Sequence, residues 1–185
     1  MPVVVDLAQP ADLPELAAVA AATFPLACPP SATPQNIAAF IDETLSEKRF
    51  GDYLDDPGRT VLVARDTAHA RSTSDPVSIS GYALLIRGVP DDADVQRAVP
   101  TRPALELSKI YVLPERHGTG TATALMTTTL SKAVELDVRC VWLGVNQQNV
   151  RAQRFYAKHG FTVNGTKTFR LGAGIENDYV MVRPV

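Results

Sequence analysis

The stretch between Leu105 and Leu136 constrains the fold more than any other part of the chain. Leu107 to Leu113 is apolar and β-branched enough to form a strand, which Pro114 terminates. A polar turn carrying Gly118 and Gly120 follows, and the remainder predicts a helix. A strand that passes through a glycine-rich turn into a helix gathers several backbone N–H groups around one point. The positive end of the helix dipole stands behind them. Such a point is an anion site, and phosphates are its commonest occupants. The stretch therefore predicts a docking place for a phosphate-bearing cofactor, with other segments supplying the chemistry.

The rest of the composition narrows the class. At 185 residues, 45% hydrophobic and 21% charged, the chain is sized for one domain (residues 1–185) that buries its own core. A net charge of −2 disfavours a general nucleic-acid surface, which usually shows a basic excess. No run is long and apolar enough to span a membrane, and the N-terminal MPVVVDLAQP lacks the pattern of a secretory signal. Cys28 and Cys140 are far apart and fit no metal spacing, so no metal is expected. Two thiols without an export signal point to a reducing cytoplasm.

Along the chain, Val3–Val5 is a short edge or first strand. Pro10 to Pro14 opens an Ala-rich helix with Asp12 as N-cap, ending near Thr23–Pro25, and the prolines of Phe24–Pro30 predict irregular chain. Ser31 or Thr33 caps a second helix from Pro34 to about Lys48. Thr60–Arg65 and Val77–Ile86 are strands joined by a polar hairpin loop, Asp66 to Pro76, that contains His69. A loop from Arg87 to Pro103 leads to the central strand. Arg139–Val145 is a buried strand and Asn149–His159 a helix closed by Gly160. Phe161–Leu171 and Tyr179–Val182 are the last strands, turning through Gly172-Ala-Gly174, with a bulge at Gly165. This order describes an α+β fold, a mixed α/β sandwich.

Three phosphate motifs compete for the glycine turn. A P-loop needs a Lys-Ser/Thr pair after its second glycine, and none follows. A dinucleotide fingerprint would place its third small residue at Thr123 and its acid where Val145-Asn146 stand. The third motif is a resemblance. Val112-Leu-Pro-Glu-Arg-His117-Gly118-Thr119-Gly120-Thr121-Ala122 resembles the acyl-CoA pyrophosphate loop of the GCN5-related N-acetyltransferase (GNAT) family. His117 stands where that family usually has Gln or Arg. A second block, Val141-Trp-Leu-Gly-Val-Asn146 through Asn149, Ala152, Phe155-Tyr156 and Gly160-Phe161, resembles the same family's strand–turn–helix.

The resemblance implies a mixed, mostly antiparallel central sheet flanked by helices, with acetyl-CoA as acyl donor. It implies that Ile110, Tyr111 and Val112 bind pantetheine through their backbone. His117, Gly118, Thr119, Gly120, Thr121 and Ala122 would hold the pyrophosphate, with Asn149, Ala152 and Tyr156 lining the same groove. Helical spacing independently puts Asn149, Ala152 and Tyr156 on one helix face. Acyl transfer to an amine needs a neutral amine, a polarised carbonyl and a protonated leaving thiolate. Tyr156 is the implied general acid and Glu106 the candidate base, the plainer alternative for Glu106 being a strand carboxylate paired with Lys109. Cys140 has no His partner and reads as a small buried residue, and His159 as a helix-end group.

The family's acceptor pocket is usually built by the first two helices and the last hairpin. FRLGAGIENDYVM is similar to the hairpin of bacterial spermidine/spermine acetyltransferases, which suggests a polyamine or other small-molecule amine. Glu176, Asp178, Asp42, Glu43, Glu47, Asp52, Asp55 and Asp56 are acids that could attract it, although a solvated face is the ordinary role for most of them. Two alternatives stay open: an acyl-CoA-binding sensor with little catalysis, and acetylation of a peptide or protein amine. The sequence leaves a homodimer open.

Overall fold

The computed structural model describes residues 3–66 and 78–185. The expected hairpin loop beyond Asp66, with His69 and Val77, lies outside the described residues. The elements are β1 (Val3–Leu7), α1 (Leu13–Ala27), α2 (Pro34–Thr44), α3 (Glu47–Asp55), β2 (Arg59–Asp66), β3 (Ile79–Arg87) and α4 (Ala93–Ala98). After them come β4 (Ala104–Val112), α5 (Thr121–Glu135), β5 (Cys140–Asn146), α6 (Val150–Lys158), β6 (Thr162–Leu171) and β7 (Gly174–Pro184). The strands form one seven-stranded sheet in the order β1-β2-β3-β4-β5-β7-β6. Only β4 and β5 run parallel; every other neighbour is antiparallel.

Strand alternation divides the core between the two faces. Leu62, Ala83, Leu85, Leu105, Val141 and Leu143 face α5, meeting Leu125, Met126 and Ala133, with Phe155 and Tyr156 of α6 alongside. Val61, Val63, Tyr82 and Leu84 face the other way, onto Leu16, Phe24, Leu45 and Phe50 of the α1–α3 layer. On that second face α4 covers Trp142 and Val180 with Val95 and Ala98. β3 is buried along most of its length, as a central strand covered on both sides must be.

Several boundaries differ from the sequence expectation, each for a local reason. α1 continues through Pro25 to Ala27. Proline removes the hydrogen bond to the Ala21 carbonyl, but Ala21 is exposed, so water can satisfy that carbonyl. Asp12 does not cap α1. It accepts from the Gln9 N–H (2.8 Å) and pairs with Arg65 (2.7 Å), locking the preceding 3-10 turn to β2. The second predicted helix is two, because the Ser46 hydroxyl caps a new start by accepting from Arg49 N–H. The expected loop before β4 contains α4, capped by Asp92, whose carboxylate accepts from the N–H groups of Asp94 and Val95.

The turn at Gly172–Gly174 and the bulge near Gly165 are present as expected, the latter as a register shift between Val163 and Gly165. The structure adds the reason for glycine there. A Cβ at position 165 would stand 2.6 Å from the Ala98 Cβ, so glycine lets α4 rest on β6. Asn164 Nδ2 donates to the Ala98 carbonyl at the same spot (2.6 Å). Gly165→Ala should destabilise the protein by about 1–3 kcal/mol through overpacking. Ala98→Gly in the same chain should recover much of that loss in urea unfolding, and an unchanged Gly165→Ala midpoint would refute the contact.

Candidate active site

β4 and β5 share only the pairs Ala104↔Cys140, Leu105↔Val141 and Glu106↔Trp142. Beyond them the strands part, and each continues beside its other neighbour only. The main-chain groups of Leu107 to Val112 that point toward β5 therefore have no ladder partner. Ser108 is passed over in the β3–β4 register, where Leu107 faces Leu85 and Lys109 faces Leu84. Residues three apart on a regular strand face opposite sides, but this bulge brings Lys109 to the same face as Glu106. A cavity of about 360 Å³ occupies the parting, lined from one face by His117, Ala122, Asn149, Ala152 and Tyr156 and from the other by Glu106, Lys109, Lys167 and Asp178. It passes through the sheet.

The turn after β4 is held open by its own bonds. Arg116 pairs with Asp66 (2.8 Å), and the Thr119 hydroxyl donates to the Arg116 carbonyl (2.7 Å). Gly118 and Gly120 have φ of 80° and 91°, left-handed values that favour glycine. A Cβ at either would meet nothing within 4 Å, so backbone conformation, not packing, calls for glycine. The first bond of α5 runs from Ala124 N–H to the Gly120 carbonyl, which leaves the N–H groups of Thr121, Ala122 and Thr123 without helical acceptors. These are the unpaired N–H groups that the sequence leads one to expect at the start of the helix. His117 departs from its expected posture: its ring Nε2 lies 3.0 Å from the Val112 carbonyl and donates to it, tying the turn to the end of β4.

Asn149 caps α6, its Oδ1 accepting from the Ala152 N–H (3.1 Å). Its amide nitrogen stays available to the cavity it lines. Gln153 Nε2 donates to the carbonyls of Asn146 and Gln147 (3.1 and 3.0 Å), holding the β5–α6 turn splayed. Tyr156 packs against Phe155 and Phe161, and its hydroxyl makes no hydrogen bond among the described residues. Burial pushes that hydroxyl well above the ordinary tyrosine range, so it is protonated at neutral pH.

Glu106 stands at the last β4–β5 pair, where the parting begins. Its carboxyl is held above the ordinary glutamate range by burial, against the pull of Lys109, Lys167 and Arg59. The simple ion pair with Lys109 does not form. Lys109 instead donates to the Ser108 carbonyl and hydroxyl (3.3 and 3.2 Å) and lies over the Phe40 ring. Lys167 pairs across the hairpin with Asp178 (3.5 Å). Gly144 gives that pair room, since a Cβ there would come within 2.5 Å of Lys167 Cε.

Sequence reasoning named Lys109 only as an ion-pair partner for Glu106 and missed Lys167, whose place follows from its pairing opposite Asp178 across the last hairpin. The last turn of α1 and the β6–β7 hairpin line the cavity, as the expected pocket requires, while α2 braces it through Phe40 and through Asn36 at the hairpin turn. Of the candidate acids only Glu176 and Asp178 reach the cavity; Asp42, Glu43, Glu47, Asp52, Asp55 and Asp56 are exposed elsewhere. Cys140 is buried beside α4, and His159 Nδ1 bonds the Phe155 carbonyl, the plain roles expected of them. Among the described residues no group of three or more His, Cys, Asp or Glu could hold a metal, and no helix could cross a membrane.

Comparison with known proteins agrees with this architecture. The profile of the Acetyltransferase (GNAT) family matches residues 27–161. An N-acetyltransferase of Mycobacterium tuberculosis, named as uncharacterized, is 56% identical over 172 residues, 93% of this chain and 97% of that one. Its Mycobacterium bovis counterpart matches equally. The PaiA N-acetyltransferase of Thermoplasma acidophilum, solved in complex with coenzyme A, has a TM-score of 0.74 at 17% identity, covering 100% of both chains. Arabidopsis thaliana NAA60, solved with a bisubstrate analogue, gives 0.71 at 15% identity over 100% of this chain and 99% of that one. The likenesses bear out the mixed, mostly antiparallel sheet flanked by helices.

The burial of Glu106 has a measurable sign. Its folded pKa is raised, so the folded state binds the proton more tightly than the unfolded chain. The group favours folding below its unfolded pKa, and that contribution is lost as pH rises through the raised folded value. Glu106→Gln cannot ionise. The variant should gain stability over the parent as pH climbs from the ordinary glutamate range toward neutrality, read as urea midpoints across pH. A gain that shrinks with rising pH would refute the burial.

Proposed function

Because the chain belongs to the acetyltransferase (GNAT) family, we propose that residues 1–185 act as one acetyl-CoA-dependent N-acetyltransferase domain whose acceptor is a small primary amine. The observation that carries this reading is the cavity that crosses the sheet at the β4–β5 parting, with an anion-ready turn and Tyr156 on one face and Glu106 on the other. The residues present fit acetyl-CoA. The pyrophosphate finds the free N–H groups at the start of α5, in a turn kept bare by Gly118 and Gly120. The unpaired edge of β4, around Ile110 to Val112, offers main-chain partners to pantetheine amides, and the Asn149 amide and the Ala152 face complete the groove.

When bound, acetyl-CoA supplies an acetyl group activated as a thioester. Glu106, its proton affinity raised by burial, accepts a proton from the incoming ammonium, directly or through water, so that a neutral amine attacks. Main-chain N–H groups on the parted edge of β4 stabilise the negative charge that develops on the carbonyl oxygen. Tyr156, held protonated by burial, delivers its hydroxyl proton to the departing thiolate sulfur. It regains one from the nitrogen, which becomes cationic on attack and loses its extra proton as the amide forms. The raised affinities of acid and base suit these opposite tasks.

The alternative of a cofactor sensor with little catalysis rests on His117. Its bond to the Val112 carbonyl gives that imidazole a structural task and leaves phosphate binding to the main chain, which supports the catalytic reading. A polyamine acceptor draws support from Glu176 and Asp178 in the cavity, and a cytoplasmic site of action from the two free thiols.

Tyr156→Phe should lower kcat by roughly 10²- to 10³-fold while the Kd for acetyl-CoA, measured by calorimetry, stays within about twofold. Unchanged turnover would remove Tyr156 from the mechanism. Gly120→Ala should act in the opposite way. A left-handed residue forced to carry a Cβ distorts the turn, so acetyl-CoA affinity should fall by roughly tenfold, with kcat at saturation largely kept.

A further inference from the structure

The chamber on the α1–α3 face carries charge that acetyl transfer by itself does not use. It holds three carboxylates, Glu106, Glu176 and Asp178, and two ammonium groups, Lys109 and Lys167. Most of these have partners. Lys167 and Asp178 pair with each other (3.5 Å). Glu176 accepts from the Ser31 hydroxyl (3.0 Å). Glu106 has its proton to carry in the proposed reaction. Lys109 is the exception: its Nζ reaches only two oxygens of the neighbouring Ser108 and the face of Phe40, and no carboxylate stands within ion-pair distance of it among the described residues.

A half-buried ammonium group without a counter-ion is costly, and its ordinary remedy is a nearby anion. Burial does draw the Lys109 proton affinity below the usual lysine range, with Lys167 and Arg59 adding to that effect and Glu106 and Asp178 opposing it. The Ser108 bulge is what sets this group beside the candidate base. Glu106 and Lys109 face Ile86 and Leu84, two residues apart on β3, so their backbones stand roughly 7 Å apart along the sheet, two strand rises, with both side chains on one face. Neighbours so placed on one face of the chamber can hold the two ends of one compact amino acid.

We propose that the acceptor is a small amine of amino-acid type, whose amine meets Glu106 and whose carboxylate seats on Lys109. The proposal rests on the acetyltransferase reading above and narrows its substrate. A polyamine would bring two or more further cations into a chamber that already holds Lys109 and Lys167, where like charges repel strongly in a partly desolvated space. A phosphate group would bring a second negative charge close to Glu176 and Asp178, so a monoanion fits better than a dianion. Phe24, Tyr111 and Phe169, which line the same chamber, offer an apolar wall to a side chain.

Matched acceptors separate these cases when CoA thiol release is followed with the full-length protein. Phenylalanine should exceed phenethylamine, its decarboxylated counterpart, in kcat/KM by roughly tenfold or more. It should also exceed spermidine and phosphoethanolamine. Lys109→Met should bring the phenylalanine-to-phenethylamine ratio close to one, mainly through KM, and Lys109→Arg should keep part of it. A ratio at or below one in the parent protein overturns the proposal, as does Lys109→Met lowering both members equally. Spermidine or phosphoethanolamine as the best acceptor overturns it in favour of a polycation or a phosphate. Silence with every acceptor, with calorimetric binding of acetyl-CoA intact, overturns the acceptor class and leaves the donor site standing. Silence together with absent acetyl-CoA binding overturns both.

Discussion

Two parallel strands that pair over three residues and then part leave main-chain donors and acceptors exposed inside the protein. A sheet interior does not tolerate this without something to fill the gap. Here β4 and β5 separate beyond Glu106 and Trp142, and the cavity occupies the wedge between them. The flanking elements are arranged around that wedge. α5 begins beside it with unpaired N–H groups, α6 begins beside it under the Asn149 cap, and the last turn of α1 covers its far side. A continuous β4–β5 ladder would close the passage between the two faces and separate Tyr156 from Glu106.

The two faces of the sheet do different work. The α5–α6 face carries the glycine turn, Asn149 and Tyr156, and its groups suit a long phosphate-bearing donor. The opposite face, under α1 to α3, carries Glu106, Lys109 and the Lys167–Asp178 pair among aromatic rings, and suits a small charged acceptor. Because donor and acceptor would enter from opposite sides of one sheet, they meet only at the parting. The Ser108 bulge serves the same geometry, since without it Lys109 would point into the α5 core rather than beside Glu106.

Much of this was readable locally. The strand–turn–helix around Gly118 and Gly120 and the Asn149 cap are written in short-range chemistry, because a positive φ or an N-cap depends on a few adjacent residues. The misses share a different cause. Pro25 reads as a helix breaker unless the exposure of the Ala21 carbonyl is known. α4 is six residues long, too short for a periodic pattern to mark, and the Ser46 cap was masked by continuing helix formers.

The sequence alone determined the glycine turn that opens α5, the Asn149-capped helix α6 with Tyr156 on its face, and the α+β order of elements, since each follows from interactions within a few residues. Which side chains share the cavity was decided only by the tertiary structure. A bulge at Ser108 reverses the facing of every later residue on β4, and the register of β6 on β7 sets Lys167 against Asp178. Register is a relation between distant segments. The turn at Gly118–Gly120 could therefore be read as a place for an anion from its own residues, whereas the chamber around Lys109, on the other face of the sheet, became visible only once the strands were laid side by side.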